Sequence, residues 1–113
     1  MTLTISQWQK AAHDLAIDKG FYDGDKDPLL WDATRLMKMV AELAEAYEEV
    51  KAGREDLSFW YDGDKPVGLG IELADVFLFL VDFAESKGFD LEACVRVKHE
   101  YNCTRERMHG KKI

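Results

Sequence analysis

The sequence predicts an all-α protein with an antiparallel four-helix arrangement, and three observations carry that prediction. Apolar residues recur at three- and four-residue steps in four successive stretches, no segment convincingly alternates with the two-residue period of a strand, and the connections are short. The first helix is expected over residues 4–19, where Ile5, Trp8, Ala12, Leu15 and Ala16 share a face and Gly20 ends the run. A polar loop, Asp23-Gly24-Asp25-Lys26-Asp27-Pro28, leads to a second helix over residues 29–52, with Leu36, Met39, Val40, Leu43, Ala44 and Tyr47 in its apolar set and Gly53 at its end. Residues 53–70 are expected as loop, because Tyr61-Asp62-Gly63-Asp64-Lys65-Pro66 is rich in turn formers. The third helix, residues 69–87, is apolar on nearly all sides from Val76 to Val81, which predicts burial of both its faces. Gly88 stops it, Asp90 or a neighbour caps a fourth helix reaching Thr104, and a short basic tail follows.

With 113 residues, the chain is expected to form one domain, residues 1–113, around one core. Its longest apolar run is Val76-Phe77-Leu78-Phe79-Leu80-Val81, stopped by Asp82 and far short of a membrane span of about 18 residues. The opening residues, MTLTISQWQK, lack the cationic start and long apolar stretch of a secretory signal. Cys94 and Cys103 form no CxxC pair, so two reduced thiols in a cytoplasmic chain are expected. There are 15 basic and 22 acidic residues, a net charge of −7, which does not suit a general nucleic-acid binder. Residues 95–113 nevertheless hold six basic residues against two acidic ones, a net +4, a pattern that suits a local anion grip on an acidic body.

Familiar metal and phosphate motifs fail on inspection. Asp23, Asp25 and Asp27 open like a calcium loop, but Pro28 takes the glycine position and Thr34 the place of the bidentate glutamate. Asp62-Gly63-Asp64 fails too, because Pro66 occupies the third ligand position. Glu106 and His109 form a single ExxH, where a di-iron bundle needs two. Gly63 to Gly70 lacks the ending of a P-loop. His13 reads as an ordinary partly buried imidazole, His99 as exposed, and the aromatic residues of the first helix and the loops as core or subunit contacts.

What stands out is a set of carboxylates. The second helix carries Glu42-Leu43-Ala44-Glu45 and the third Glu72-Leu73-Ala74-Asp75; residues three apart share a helix face. Glu49 extends the first pair by four positions, and Asp82 extends the second by seven. Antiparallel packing would bring the pairs into one acidic cleft, where mutual repulsion calls for protonation or a bound cation. Oxygen-only ligands favour a hard ion, Mg²⁺ or Mn²⁺. Glutamates at such spacing also line ordinary solvated faces, but Glu72 and Asp75 begin the most apolar helix of the chain, an unusual place for a solvated stripe.

Ala41-Glu42-Leu43-Ala44-Glu45-Ala46 followed by Glu72-Leu73-Ala74-Asp75-Val76 resembles the signature of the all-α NTP pyrophosphohydrolases, the MazG-like enzymes and their dUTPase and dCTPase relatives. The similarity continues through Lys98-His99-Glu100-Tyr101-Asn102, Thr104-Arg105 and His109-Gly110-Lys111-Lys112, with Gly20-Phe21 a weaker match. It is nearest to the short, single-domain MazG-like proteins. The resemblance implies hydrolysis of a nucleoside triphosphate to the monophosphate and pyrophosphate. It implies that Glu42, Glu45, Glu72 and Asp75 hold Mg²⁺ against the phosphates and that Lys98 and Asn102 help bind the substrate. Ala41 stands where many members carry a further glutamate, which leaves the number of metals and the general base open.

The residues fit that chemistry. Splitting a phosphoanhydride needs positioning and charge neutralisation more than covalent chemistry. Glu45 and Glu49 are the candidate general bases, and Arg105 and Lys111 join Lys98 as phosphate contacts. A homodimer or homotetramer is expected, because one small chain cannot cover the third helix. The competing reading is a non-catalytic helical oligomerisation or nucleotide-sensing module that keeps the fold.

Overall fold

The computed structural model describes residues 2–54 and 58–112, without the side chain of His109. Among the described residues are four α-helices, α1 (Ile5–Asp18), α2 (Pro28–Lys51), α3 (Leu69–Ser86) and α4 (Leu91–Thr104). A two-stranded hairpin, β1 (Trp60–Asp62) and β2 (Lys65–Val67), stands between α2 and α3, and a short 3₁₀ turn, Arg107–Gly110, follows α4. The helices start where side chains can accept their first free amides. Thr4 and Gln7 form a reciprocal capping box on α1 with bonds of 2.7 and 3.1 Å. Asp27 accepts from the Leu30 amide at 2.9 Å ahead of Pro28, the first residue of α2, and Asp90 accepts from the Ala93 amide at 3.0 Å.

The hairpin corrects the expectation of an unbroken loop. Trp60 pairs with Val67, Tyr61 with Pro66 and Asp62 with Lys65. Each strand is three residues long, too short for alternation to register in the sequence. Two glycines seat the hairpin against the start of α3. Gly68 holds φ +125°, and a Cβ there would sit 3.0 Å from Phe59 Cα and from the Trp60 ring. A Cβ on Gly70 would come within 2.5 Å of the Ser58 carbonyl oxygen, which accepts from the Gly70 amide at 2.8 Å. This contact sets the first turn of α3, the turn that carries Glu72.

α3 is the central element, with α1 and α2 packed against it and α4 against α1. Both neighbours of α3 run antiparallel to it: Gln9 bonds Glu85 while His13 reaches Asp82, and Arg35 meets Asp82 while Glu45 and Glu72 stand together. Gln9 is 2% exposed and ties three elements, donating to Glu85 and to the Phe89 carbonyl and accepting from the Leu91 amide. The buried apolar set is small: Met39, Ala46, Val81 and Ala84. In the single chain one face of α3 lies open, with Leu73, Phe77 and Leu80 all exposed. No helix among the described residues is long and apolar enough to cross a membrane.

Candidate functional site

Along α2, Arg35, Met39, Glu42, Ala46 and Glu49 recur at alternating four- and three-residue steps, and each is buried or half-buried. This stripe faces α3. On α3, Glu72, Asp75, Phe79 and Asp82 form the matching stripe, each likewise buried or half-buried. The packed surfaces of the two helices therefore carry charge at both ends, and the two ends differ.

At the upper end, Glu42 and Glu45 of α2 meet Glu72 of α3. One oxygen from each lies within 4.8 Å of the other two, with Glu42 and Glu72 half-buried and Glu45 exposed. Glu72 Oε2 is buried and has no hydrogen-bond partner among the described residues. Burial, followed by a shared proton with Glu45 and the charges of Glu45, Asp75 and Glu42, pushes the Glu72 carboxyl up to about 7. Burial and the charges of Glu45 and Asp75 also raise Glu42, against a smaller opposing pull from Lys38. Asp75 lies beside the trio rather than inside it; burial and Glu45 raise its carboxyl, and Lys65 of the hairpin works against that rise. All four carboxylates expected to converge thus feel one another, three in direct proximity. The group can hold a cation through oxygens alone, or share a proton when none is bound.

Asp82 does not extend this acidic face. Its carboxylate, 3% exposed, is bonded by the Arg35 guanidinium and by the Tyr22 hydroxyl at 2.8 Å, and His13 Nδ1 lies 2.9 Å away. Arg35 is itself 5% exposed and lies over the rings of Tyr22, Trp31 and Phe79 at 5.0 to 5.7 Å. Burial and the bond to Asp82 push the Tyr22 hydroxyl up to about 12, so it stays a donor. Seven positions beyond Asp75 is two helical turns in sequence, but at that level α2 supplies a cation instead of a carboxylate. Between the two clusters, Asp75, Arg35 and Asp82 contribute to the wall of a largely apolar cavity of about 210 Å³, together with Leu15, Phe21 and Phe79.

Glu49 lies on the α3-facing stripe, but Arg54 holds its carboxylate through two bonds of 2.8 and 3.2 Å and lowers its pKa. The expected phosphate contacts stand on α4 and the tail. Lys98 lies over the Tyr101 ring at 5.0 Å and Arg105 over the same ring at 5.5 Å. Asn102 is half-buried, and its Oδ1 has no hydrogen-bond partner among the described residues. Lys111 is exposed after the 3₁₀ turn. His99 is exposed as expected and lies 3.7 Å from the Cys103 sulfur. The side chain of His109, the second half of the ExxH, lies outside the described residues.

Sequence reasoning missed the Arg35–Asp82 pair and the two lysines that flank the carboxylates, Lys38 and Lys65. Arg35 did leave a signal, since it occupies the register of Met39, Glu42 and Ala46 on the inward stripe. Comparison with protein-family models, with curated proteins and with solved structures finds no match to this chain.

Proposed function

We propose that the protein is a Mg²⁺-dependent nucleoside triphosphate pyrophosphohydrolase with a MazG-like helical arrangement, releasing the monophosphate and pyrophosphate. The observation that carries this reading is the meeting of Glu42, Glu45 and Glu72 from two helices, with Asp75 beside them. An apolar core gains nothing from four carboxylates in one place, where burial and neighbouring charge raise the pKa values of Glu42, Glu72 and Asp75. A divalent ion relieves that repulsion and gives the unpartnered Glu72 oxygen a ligand role. The donor set, oxygens only, suits Mg²⁺, with Mn²⁺ serving as well.

Glu42, Glu45, Glu72 and Asp75 hold the ion in this reading. When bound it supplies charge neutralisation for the phosphate oxygens and acidifies a coordinated water. Glu45, the exposed member of the trio, accepts the proton of the attacking water; Glu49 is the weaker candidate because Arg54 occupies it. Lys98, Asn102, Arg105 and Lys111 serve the outgoing phosphates, and Lys38 and Lys65 add positive charge near the carboxylates. The apolar cavity walled in part by Asp75 offers room for the uncharged portion of the nucleotide. The working unit is a homodimer or homotetramer located in the cytoplasm.

The test is to incubate the pure protein with canonical and modified triphosphates under Mg²⁺ and Mn²⁺ and identify the products. Monophosphate with pyrophosphate supports the reading; orthophosphate release contradicts it. Binding of a triphosphate without turnover would favour the non-catalytic sensing module, for which the uncovered apolar face and Ala41 speak.

A further inference from the structure

The cavity between α1 and α3 has walls of two kinds. Leu15, Phe21, Leu78 and Phe79 make most of it apolar, while Arg35 and Asp82 give it a charged patch. Asp75 belongs both to this wall and to the neighbourhood of the carboxylate trio, so one ligand can reach both. The volume, about 210 Å³, exceeds the roughly 150 Å³ in which an apolar protein cavity holds one benzene ring. A six-membered ring with small substituents therefore fits.

The charged patch is unbalanced in its hydrogen bonding. Asp82 is taken up, since Arg35, Tyr22 and His13 surround its carboxylate. Arg35 is not. It is 5% exposed and bonds Asp82 through a terminal nitrogen, but its buried Nε has no hydrogen-bond partner among the described residues. A guanidinium carries donors only, and a buried donor without an acceptor is costly. The exposed Lys19 brings a second donor to the wall. Asp75, the other carboxylate there, serves the cation in the hydrolase reading. The wall thus has hydrogen bonds to give and none spare to receive.

Nucleobases differ in what they present to such a wall. Cytosine, adenine and guanine each carry an amino group that must donate; thymine and uracil carry two carbonyl oxygens against a single ring N–H, and no amino group. In an apolar pocket an amino group without an acceptor is penalised, whereas a carbonyl gives Arg35 the partner it lacks. Thymine and uracil are also single rings, as the volume requires, and the apolar walls suit the C5 edge of either.

We infer that the cavity selects a 2,4-dioxopyrimidine base, thymine or uracil, with Arg35 Nε–H donating to a ring carbonyl. Arg35 is then the specificity-determining residue, and nucleotides with amino-bearing bases are the poorer ligands. This rests on the hydrolase reading for where the phosphates lie, and adds to it which base the site prefers.

Calorimetric titration of the full chain in Mg²⁺ with dTMP, dUMP, dCMP, dAMP and dGMP tests the choice of base without requiring turnover. dTMP and dUMP should bind about tenfold tighter than the other three, or better. Ala16→Phe, which sends a ring into the cavity from α1, should weaken dTMP by about tenfold or more with an unchanged circular dichroism spectrum. Arg35→Lys keeps a cation for Asp82 but removes the Nε–H, so dTMP should lose its advantage over dCMP. Should that variant fail to fold, the base panel and Ala16→Phe decide the matter. Equal binding of all bases, a preference for dCMP or a purine, no binding at all, or an Ala16→Phe chain that holds dTMP as before overturns the proposal. Hydrolysis is a separate readout. A chain that releases pyrophosphate from dCTP or dATP as fast as from dTTP keeps the hydrolase reading and loses this one; a chain that binds dTMP selectively but leaves dTTP intact does the reverse.

Discussion

The same pair of helices carries charge at two levels, and the levels are built on opposite rules. At one, Arg35 and Asp82 are both more than nine-tenths buried, and Tyr22 and His13 complete the carboxylate's surroundings. At the other, Glu42, Glu45 and Glu72 come together with Asp75 nearby, and among the described residues no hydrogen bond to a basic side chain neutralises them. The first cluster is satisfied within the chain and holds three elements in register. The second is unsatisfied, and burial together with neighbouring carboxylates raises the pKa values of Glu42, Glu72 and Asp75. Buried charge is tolerated in the first case because it is paired, and in the second only with a proton or a ligand from outside. A folded chain thus separates the charges that maintain it from those that await something.

Breaking each cluster should have distinct consequences. Asp75→Asn is the sharpest cut at the acidic end: turnover of the best triphosphate should fall by about 1,000-fold or more, with the circular dichroism spectrum unchanged. Full activity in that variant would place the chemistry elsewhere. At the paired end, Arg35→Met strands the buried Asp82 carboxylate, and urea unfolding should report a loss of about 3–5 kcal/mol. Replacing both partners, Arg35→Met with Asp82→Leu, should recover much of that loss, because no charge is then left unpaired.

The acidic end should also respond to pH. Folded Glu72 keeps its proton up to about 7, whereas an unfolded glutamate loses it near 4.3. The folded state therefore binds more protons between those values, and metal-free stability should fall as pH rises through that window. Thermal melts should show a drop of about 5 °C, Mg²⁺ should reverse it above pH 7, and Glu72→Gln should flatten the profile. A melting temperature that climbs over this range in the metal-free protein would contradict the cluster's electrostatics. The smallest effect belongs to Tyr22→Phe, which removes one of several bonds to Asp82 and should cost about 1 kcal/mol in the same urea assay.

Much of this molecule is written in local pattern. The four helices lie within a residue or two of their expected limits, since capping residues and flanking glycines act over a single turn. The pairing of Glu42–Glu45 with Glu72 was legible because three-residue spacing fixes a face and short connections favour antiparallel neighbours. Asp82 was misplaced for an instructive reason. Its position on the acidic face of α3 is as the periodicity indicates, but what it meets depends on α1 and α2, and those bring His13, Tyr22 and Arg35. The hairpin escaped notice because three-residue strands carry no period, and its seat rests on Gly68 and Gly70 meeting the backbone of Ser58 and Phe59, outside the hairpin and remote in sequence.

By itself the sequence determined the helices, their ends, and which side chains share each face, because these follow from torsional preferences and a repeat of 3.6 residues. It also marked out the paired carboxylates. Only the tertiary structure decided which charges find partners, which cluster is left without them, and which apolar stripe stays uncovered. Those outcomes depend on the facing helix, and a helix's own period carries no information about what it will meet.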